Sequence, residues 1–234
     1  MGIVVLHGTQ GRPSDKTIEP LLQTLRDAGY KTQAPEMCWS GDRIYDASYE
    51  DCLKEIDIAV AALREAGARR IVVAGQSRGG SAALIYATQH PELAGVIASA
   101  PAANPAQFAR NPQIAASIAL AVQMIASGSA DRRAAFADSN TGRAFTVNTT
   151  ARIYLSFHQV GGPADYPKVL PQLHVPVIWI AGTQDRLQDN SAALFQQIPS
   201  NPLNQYVQVD ADHRGTPAAG AETILAWLAH LPQN

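Results

Sequence analysis

A serine enclosed by two glycines, between an apolar run and a helix pattern, most constrains how this chain can fold. Residues 75–79 read Gly-Gln-Ser-Arg-Gly, with Ser77 at the centre. The preceding run, residues 70–74, is typical of a buried strand, and residues 80–87 have the composition of a helix. Glycine at both ends leaves room where a side chain would collide with a neighbouring strand or helix. The pattern predicts a sharp strand-to-helix turn that exposes the Ser77 hydroxyl; the alternative is an ordinary glycine-rich turn.

The composition is that of one globular domain with room for an insertion. The chain has 234 residues, 46% of them hydrophobic, which is enough for a sizeable core. The net charge of −2 gives no basic stripe for nucleic acid, and no apolar run approaches the ~18 residues of a membrane span. We therefore expect a small-molecule partner, no nucleic acid and no membrane span. The composition leaves the oligomeric state open.

Strand and helix patterns alternate along most of the chain. The predicted strands are residues 2–7, 30–33, 70–75, 93–100, 175–181 and 205–209. The predicted helices are residues 17–28 (capped by Thr17), 48–66 (capped by Ser48), 80–89, 190–197 and 217–231. Strands that alternate with helices predict an α/β fold: a doubly wound, mainly parallel sheet of about six strands. Residues 1–100 and 175–234 would form this core.

Residues 101–174 interrupt the alternation and contain no convincing strand pattern. Residues 111–127 read as a nearly all-round apolar helix, and residues 131–137 and 149–158 as two further helices. An insertion at this point would lie above the carboxyl ends of the strands, where open α/β sheets bind ligands. We predict a helical cap that walls an apolar pocket; the alternative is a buried layer without substrate contact.

A serine hydroxyl needs a base and a carboxylate before it can act as a nucleophile. His213 is the best candidate base, since it follows the last predicted strand and so lies at the same sheet edge as Ser77. The weaker candidates are His7, expected to shape its loop, and His90, His158, His174 and His230. Asp185, just past the strand before that of His213, is the candidate carboxylate. The alternatives are Asp189, then Asp210 and Asp212.

Two backbone N–H groups are candidates for binding the oxyanion of an acyl-transfer reaction. One belongs to Arg78, at the start of the elbow helix, and the other to Thr9 after the first strand, with Gln10 as the fallback. The glycine-containing loop around Thr9 lacks the G-x-x-x-x-G-K-[ST] pattern of a phosphate-binding P-loop. The Arg78 side chain is expected to form an exposed salt bridge, or to contact an anionic substrate.

The two cysteines do not by themselves indicate a function or a cellular compartment. Cys52 lies on an apolar helix stripe and reads as a buried thiol, and Cys38 lies in a loop. A disulfide between them would need an oxidising compartment. Because the sequence enters its first strand directly after Met1, we expect a natural upstream segment. The chain would be cytoplasmic as it stands, and periplasmic or secreted if that segment is a leader.

With these pieces in place the chain resembles the α/β-hydrolases, and within them small bacterial serine esterases and dienelactone-hydrolase-like proteins. The resemblance rests on His7-Gly8 after a strand, the elbow at residues 75–79, the acid loop at residues 182–185, and Asp212-His213, in the order Ser, Asp, His. Two features depart from it: the usual first two strands are missing, and Gln76 stands where many members carry histidine. The second departure should alter the hydrogen bonding of the elbow without removing the reaction.

The resemblance implies hydrolysis of a carboxylic ester or thioester through an acyl-enzyme on Ser77, with His213 as base and Asp185 orienting it. It implies no metal and no organic cofactor. The alternatives are an acyltransferase or a lyase on the same fold, or a binding protein without catalysis.

Overall fold

A computed structural model describes residues 1–232. Six parallel strands form the main sheet in the order β2-β1-β3-β4-β7-β8, and β5 and β6 form a separate antiparallel pair. The strands are Gly2–Leu6 (β1), Lys31–Gln33 (β2), Ile71–Gln76 (β3), Gly95–Ser99 (β4), Arg133–Asn140 (β5), Arg143–Thr150 (β6), Val177–Gly182 (β7) and Gln205–Val209 (β8). The predicted α/β class and the six-stranded parallel sheet are confirmed.

The helices cover both faces of this sheet. They are Glu19–Asp27 (α1), Tyr49–Glu65 (α2), Arg78–Gln89 (α3), Pro105–Phe108 (α4), Pro112–Ala126 (α5), Ala151–His158 (α6), Tyr166–Val169 (α7), Ser191–Phe195 (α8), Thr216–Ala219 (α9) and Ala221–His230 (α10). Short 3-10 turns span Leu170–Gln172 and Arg186–Gln188.

Alternating side chains of the buried strands divide the core into two layers. On β1, Val4 packs with the side of α2 and α3, whereas Ile3 packs with the side of α1 and α10. On β7, Trp179 and Ile180 separate in the same way. Strands buried on both faces are what a parallel sheet requires, and this explains their continuous apolar sequences.

The structure corrects two of the predicted helices, the first and the last, and confirms the cap of α2. The prediction that Thr17 caps α1 is wrong, because the Asp15 side chain accepts the Thr17 N–H (3.0 Å) and the helix begins at Glu19. Ser48 does cap α2, accepting the N–H of Asp51 at 3.2 Å. The predicted last helix is divided at Gly220 into α9 and α10.

The segment between β4 and β7 contains a β-hairpin that the sequence prediction missed. Residues 131–137 were expected to be helical, but β5 begins at Arg133 and pairs with β6. A two-residue turn joins the strands, with Thr141 and Gly142 at φ of 48° and 81°. Hairpin turns of this kind need positive φ at both positions, which glycine supplies. The segment between β4 and β7 therefore consists of helices plus a hairpin, and a cap formed by residues 101–174 stays a prediction.

A disulfide joins Cys38, in the loop before α2, to Cys52 within α2. Both residues are fully buried. Among residues 1–232, none of the helices has the length and apolar character that crossing a bilayer requires.

Candidate active site

Ser77 lies between β3 and α3 in a strained backbone conformation, with φ of 56° and ψ of −122°. A non-glycine residue held in such a region costs on the order of 1–3 kcal/mol. The surrounding glycines are required by space: a Cβ on Gly75 would lie 2.2 Å from the backbone of Gly79, and one on Gly79 would lie 2.4 Å from the Leu6 carbonyl oxygen. The turn is as sharp as the sequence predicted, and Ser77 keeps 8% of its surface exposed.

Three residues far apart in sequence form a continuous hydrogen-bonded chain at the carboxyl edge of the sheet. The Nε2 atom of His213 is 2.9 Å from the Ser77 Oγ, and its Nδ1 atom is 2.6 Å from an Asp185 carboxylate oxygen. The other Asp185 oxygen accepts the N–H of Leu187 at 3.0 Å, which fixes the carboxylate. All three side chains are nearly buried. The arrangement places a base next to the serine and a carboxylate behind the base.

The alternative carboxylates have other contacts. Asp210 accepts a hydrogen bond from Gln184 (2.7 Å), and Asp212 accepts the N–H of Gly215 (2.7 Å) within its own loop. Asp189 is exposed at the end of the short 3-10 turn. Asp185 is the carboxylate that reaches His213.

His7 supports the loop after β1. Its Nε2 accepts the N–H of Met37 (3.1 Å), and its Nδ1 lies 2.9 Å from the Gly8 carbonyl oxygen. Burial lowers the pKa of His7 below its ordinary 6.5, against the opposing effect of the bond to Gly8 and of nearby carboxylates. A neutral ring suits both contacts. Among the described residues, none of the other four histidines forms a hydrogen bond with Ser77.

The two loops that meet at Ser77 bring the predicted oxyanion donors to one place. The N–H of Gln10 is occupied by the Trp39 carbonyl (2.9 Å), so this fallback donor is engaged. Within residues 1–232, the N–H groups of Thr9 and Arg78 have no hydrogen-bond acceptor. Glycine at position 8 allows the loop after β1 to lie close to the residues around Ser77, since a Cβ there would lie 2.6 Å from the Gln76 side-chain oxygen. The Arg78 N–H also stands at the positive end of α3.

The expectation that Arg78 forms an exposed salt bridge is wrong. Its side chain is fully buried, and its Nε donates to the Thr9 Oγ1 at 2.9 Å. The guanidinium lies over three aromatic rings, those of Tyr45, Phe108 and Phe157, at 5.3–5.7 Å from their centroids. Two of these rings, Phe108 and Phe157, come from the segment between β4 and β7, and they help to remove the side chain from solvent.

Gln76, the residue before the serine, holds the loop of the base. Its Nε2 donates to the main-chain carbonyl of His213 at 2.9 Å, and the side chain is buried. The departure from histidine thus gives the site a direct link between the elbow and the His213 loop.

Two cavities border the serine. One, of about 310 Å³, is mainly polar and reaches Asp15 and Arg214. The other, of about 230 Å³, has a more apolar lining that includes Phe108 and Leu187. Both are lined by Ser77, His213, Thr9 and the hairpin residues Asn140 and Thr141.

The hairpin tip is the part of the site that sequence reasoning missed. Asn140 donates from Nδ2 to the Thr9 main-chain carbonyl at 2.8 Å. One feature could have indicated the hairpin. Buried and more exposed residues alternate along β5 and β6, with Phe136, Val147 and Thr149 among the buried ones, and the turn between the strands contains Gly142. No group of three metal-ligating side chains occurs in the described part of the chain.

The sequence model of the family described as "Serine aminopeptidase, S33" matches residues 3–213. A search of curated proteins by sequence gave no match.

Solved structures with a similar fold include esterases and a lipase. A monoacylglycerol lipase from Paleococcus ferrophilus is 20% identical with a TM-score of 0.72, covering 99% of this chain and 95% of its own. Est1E from Butyrivibrio proteoclasticus, with ferulic acid bound, is 17% identical with a TM-score of 0.69, covering 97% and 89%. An esterase domain from Rhodothermus marinus is 18% identical with a TM-score of 0.65, covering 97% and 85%.

These likenesses establish the fold, and the family match covers nearly the whole described chain. The chain belongs to the S33 serine aminopeptidase family and is a hydrolase of the α/β-hydrolase superfamily.

Proposed function

We propose that this protein hydrolyses carboxylic esters or thioesters of small to medium size through an acyl-enzyme on Ser77. The observation that carries the proposal is the unbroken chain from Ser77 Oγ to His213 (2.9 Å) and from His213 to Asp185 (2.6 Å). Similar folds in a monoacylglycerol lipase and in an esterase with bound ferulic acid support ester substrates.

The reaction follows from the geometry. His213 takes the Ser77 proton as the hydroxyl oxygen attacks the ester carbonyl, and a tetrahedral oxyanion forms. The N–H groups of Thr9 and Arg78 donate to that oxyanion, and each such donor lowers the barrier by about 3–4 kcal/mol. Protonated His213, held by Asp185, passes its proton to the leaving alcohol. Water, activated by the same histidine, then releases the acid and restores the serine.

The two cavities match a substrate of two unlike halves. The more apolar space of about 230 Å³ suits a short acyl or aryl group, and the polar space of about 310 Å³ suits a hydroxylated or otherwise polar group.

The decisive experiment combines covalent labelling with turnover. The protein is incubated with a fluorophosphonate probe and with p-nitrophenyl esters of two to eight acyl carbons. We expect labelling and turnover in the wild type and loss of both in Ser77→Ala. Absence of labelling in a folded wild-type protein would contradict the proposal and favour a binding protein. An aminoacyl coumarin amide tests peptidase activity, and product analysis with added alcohol separates hydrolysis from acyl transfer.

A matched pair of variants tests the carboxylate. Asp185→Asn removes the charge behind His213 and should lower kcat about 10³–10⁴-fold. Asp189→Asn changes an exposed carboxylate nearby and should leave kcat within about two-fold. Equal effects of the two substitutions would refute the assigned role of Asp185.

A further inference from the structure

Arg78 is joined to the oxyanion site by its side chain as well as by its main chain. It follows Ser77 directly, and its Nε donates to the Thr9 Oγ1 at 2.9 Å. The N–H groups of Thr9 and Arg78, the two proposed donors, both lack an acceptor in residues 1–232. One side-chain hydrogen bond therefore connects the two loops that carry both proposed donors.

The guanidinium is held in place by packing rather than by solvent or a surface ion pair. It is fully buried, and the rings of Tyr45 (5.4 Å), Phe108 (5.7 Å) and Phe157 (5.3 Å) surround it. Its terminal nitrogens have no hydrogen-bond acceptor among the described residues, so Nε makes its directional contact. A cation over aromatic faces is attracted by the ring quadrupoles, and a planar guanidinium stacks there better than an ammonium.

The cap hairpin supplies a buried carboxylate of opposite charge. Asp138, on β5, accepts a hydrogen bond from the Tyr45 hydroxyl and lies 3.2 Å from His158 Nε2. Burial raises the pKa of Asp138, but His158, the Arg78 charge and the hydrogen bonds outweigh it and bring the pKa below its usual range. An ionised Asp138 balances the charge of Arg78 inside the protein.

The same strand holds the Thr9 loop from its other side. Asn140, two residues after Asp138, donates to the Thr9 carbonyl at 2.8 Å. The Thr9 peptide is thus fixed by the cap through Asn140 and by the elbow through the Arg78 side chain.

We infer that the Arg78 side chain is a positioning residue that sets the spacing of the two oxyanion donors, with the cap hairpin as its anchor. The inference rests on the proposed ester hydrolysis. Because donors must match the oxyanion closely, a displacement of about 1 Å costs on the order of 10²-fold in rate. Loss of the Arg78–Thr9 bond should therefore lower kcat and leave ground-state binding nearly unchanged.

The test removes this hydrogen bond and an equivalent bond elsewhere. Thr9→Val deletes the Oγ1 acceptor while keeping the shape, and Thr9→Ser restores it. The matched control is Thr32→Val, because Thr32 accepts the Nε of Arg26 at 3.1 Å on the exposed surface. Each variant is assayed for kcat and KM on a p-nitrophenyl ester and for inhibition by a boronic acid, which mimics the tetrahedral intermediate.

We expect Thr9→Val to lower kcat about 10- to 100-fold, to change KM less than three-fold, and to weaken boronate binding by a similar factor to kcat. Thr9→Ser should recover most of the lost rate, and Thr32→Val should match the wild type. Arg78→Lys, which keeps the charge but lacks Nε, should resemble Thr9→Val.

Wild-type kinetics in folded Thr9→Val would overturn the inference while leaving ester hydrolysis intact. A fall in KM and kcat that Thr9→Ser does not rescue would also overturn it. If Thr9→Val fails to fold in a thermal melt, Thr9→Ala deletes the same oxygen without adding a methyl group and takes its place. A wild-type protein that neither labels nor turns over would defeat the proposed function itself, and the inference with it.

Discussion

The disulfide between Cys38 and Cys52 should contribute a large part of the stability of this protein. The bond spans a sequence separation of 14 residues. In the chain-entropy treatment, closing a loop of about 15 residues destabilises the unfolded state by about 3 kcal/mol. We therefore expect the free energy of unfolding of Cys38→Ala/Cys52→Ala to fall by about 3 kcal/mol. For a domain of this size, that corresponds to a decrease in Tm of about 6–12 °C.

Activity at 25 °C should change much less than stability. The loop closed by the disulfide contains Trp39, whose indole donates to the His7 carbonyl (2.9 Å) and whose carbonyl accepts the Gln10 N–H (2.9 Å). These hydrogen bonds hold the loop against the oxyanion segment in the native state, whether or not the sulfurs are joined. The kcat of the double variant should stay within about three-fold of wild type.

The assay is urea unfolding followed by far-UV circular dichroism, with and without reductant. At a slope of about 2–3 kcal/mol/M, the midpoint should move by about 1–1.5 M urea. Wild type unfolded and refolded in reductant keeps both sulfur atoms, so it separates the loss of the cross-link from the loss of buried volume. A difference below about 1 kcal/mol between oxidised and reduced wild type would refute the reasoning.

Three further outcomes follow from particular contacts. Gly75→Ala should destabilise the fold by at least about 4 kcal/mol, measured by urea unfolding, because the new Cβ would lie 2.2 Å from the Gly79 backbone. Burial lowers the pKa of His7 from 6.5 in the folded protein. As the pH drops, His7 therefore binds a proton in the unfolded chain at a higher pH than in the folded protein, and the free energy of unfolding should fall below about pH 6.5. His7→Gln should flatten this slope in urea titrations between pH 7 and 5. Gln76→Leu removes the 2.9 Å bond to the His213 carbonyl and should lower both stability, by about 1–3 kcal/mol, and kcat, about ten-fold.

Each of these outcomes has a control. Gly128→Ala adds a Cβ that meets no atom within 4 Å, at a φ of 76°, so it should cost only about 1 kcal/mol. Equal losses at the two glycines would contradict the steric account of the elbow. An unchanged pH slope in His7→Gln, or wild-type kcat in Gln76→Leu, would remove the role given to that side chain.

Local sequence patterns predicted the central sheet and the turn that carries Ser77. Short β-branched runs that alternate with helix patterns indicated the six parallel strands, and the spacing of Gly75 and Gly79 indicated the elbow around Ser77. The positions of His213 and Asp185 after consecutive strands followed from a topological fact: the carboxyl ends of parallel strands meet at one edge. The prediction of the six-stranded parallel sheet is confirmed because it depends on short runs of neighbouring residues, and the roles of His213 and Asp185 stay predictions that depend on strand order.

The structure of residues 133–150 and the surroundings of Arg78 were decided by the tertiary structure. The β5–β6 hairpin forms by pairing two half-exposed strands whose alanines and threonines suit more than one local structure, and the pairing rather than propensity selects the strand. Arginine is usually exposed, so its charge alone predicted a surface role. Its burial depends on three rings and a carboxylate drawn from residues 45–157, which come together around Arg78 only in the folded protein. The sequence determined where a nucleophile could stand, and long-range packing decided what surrounds and holds it.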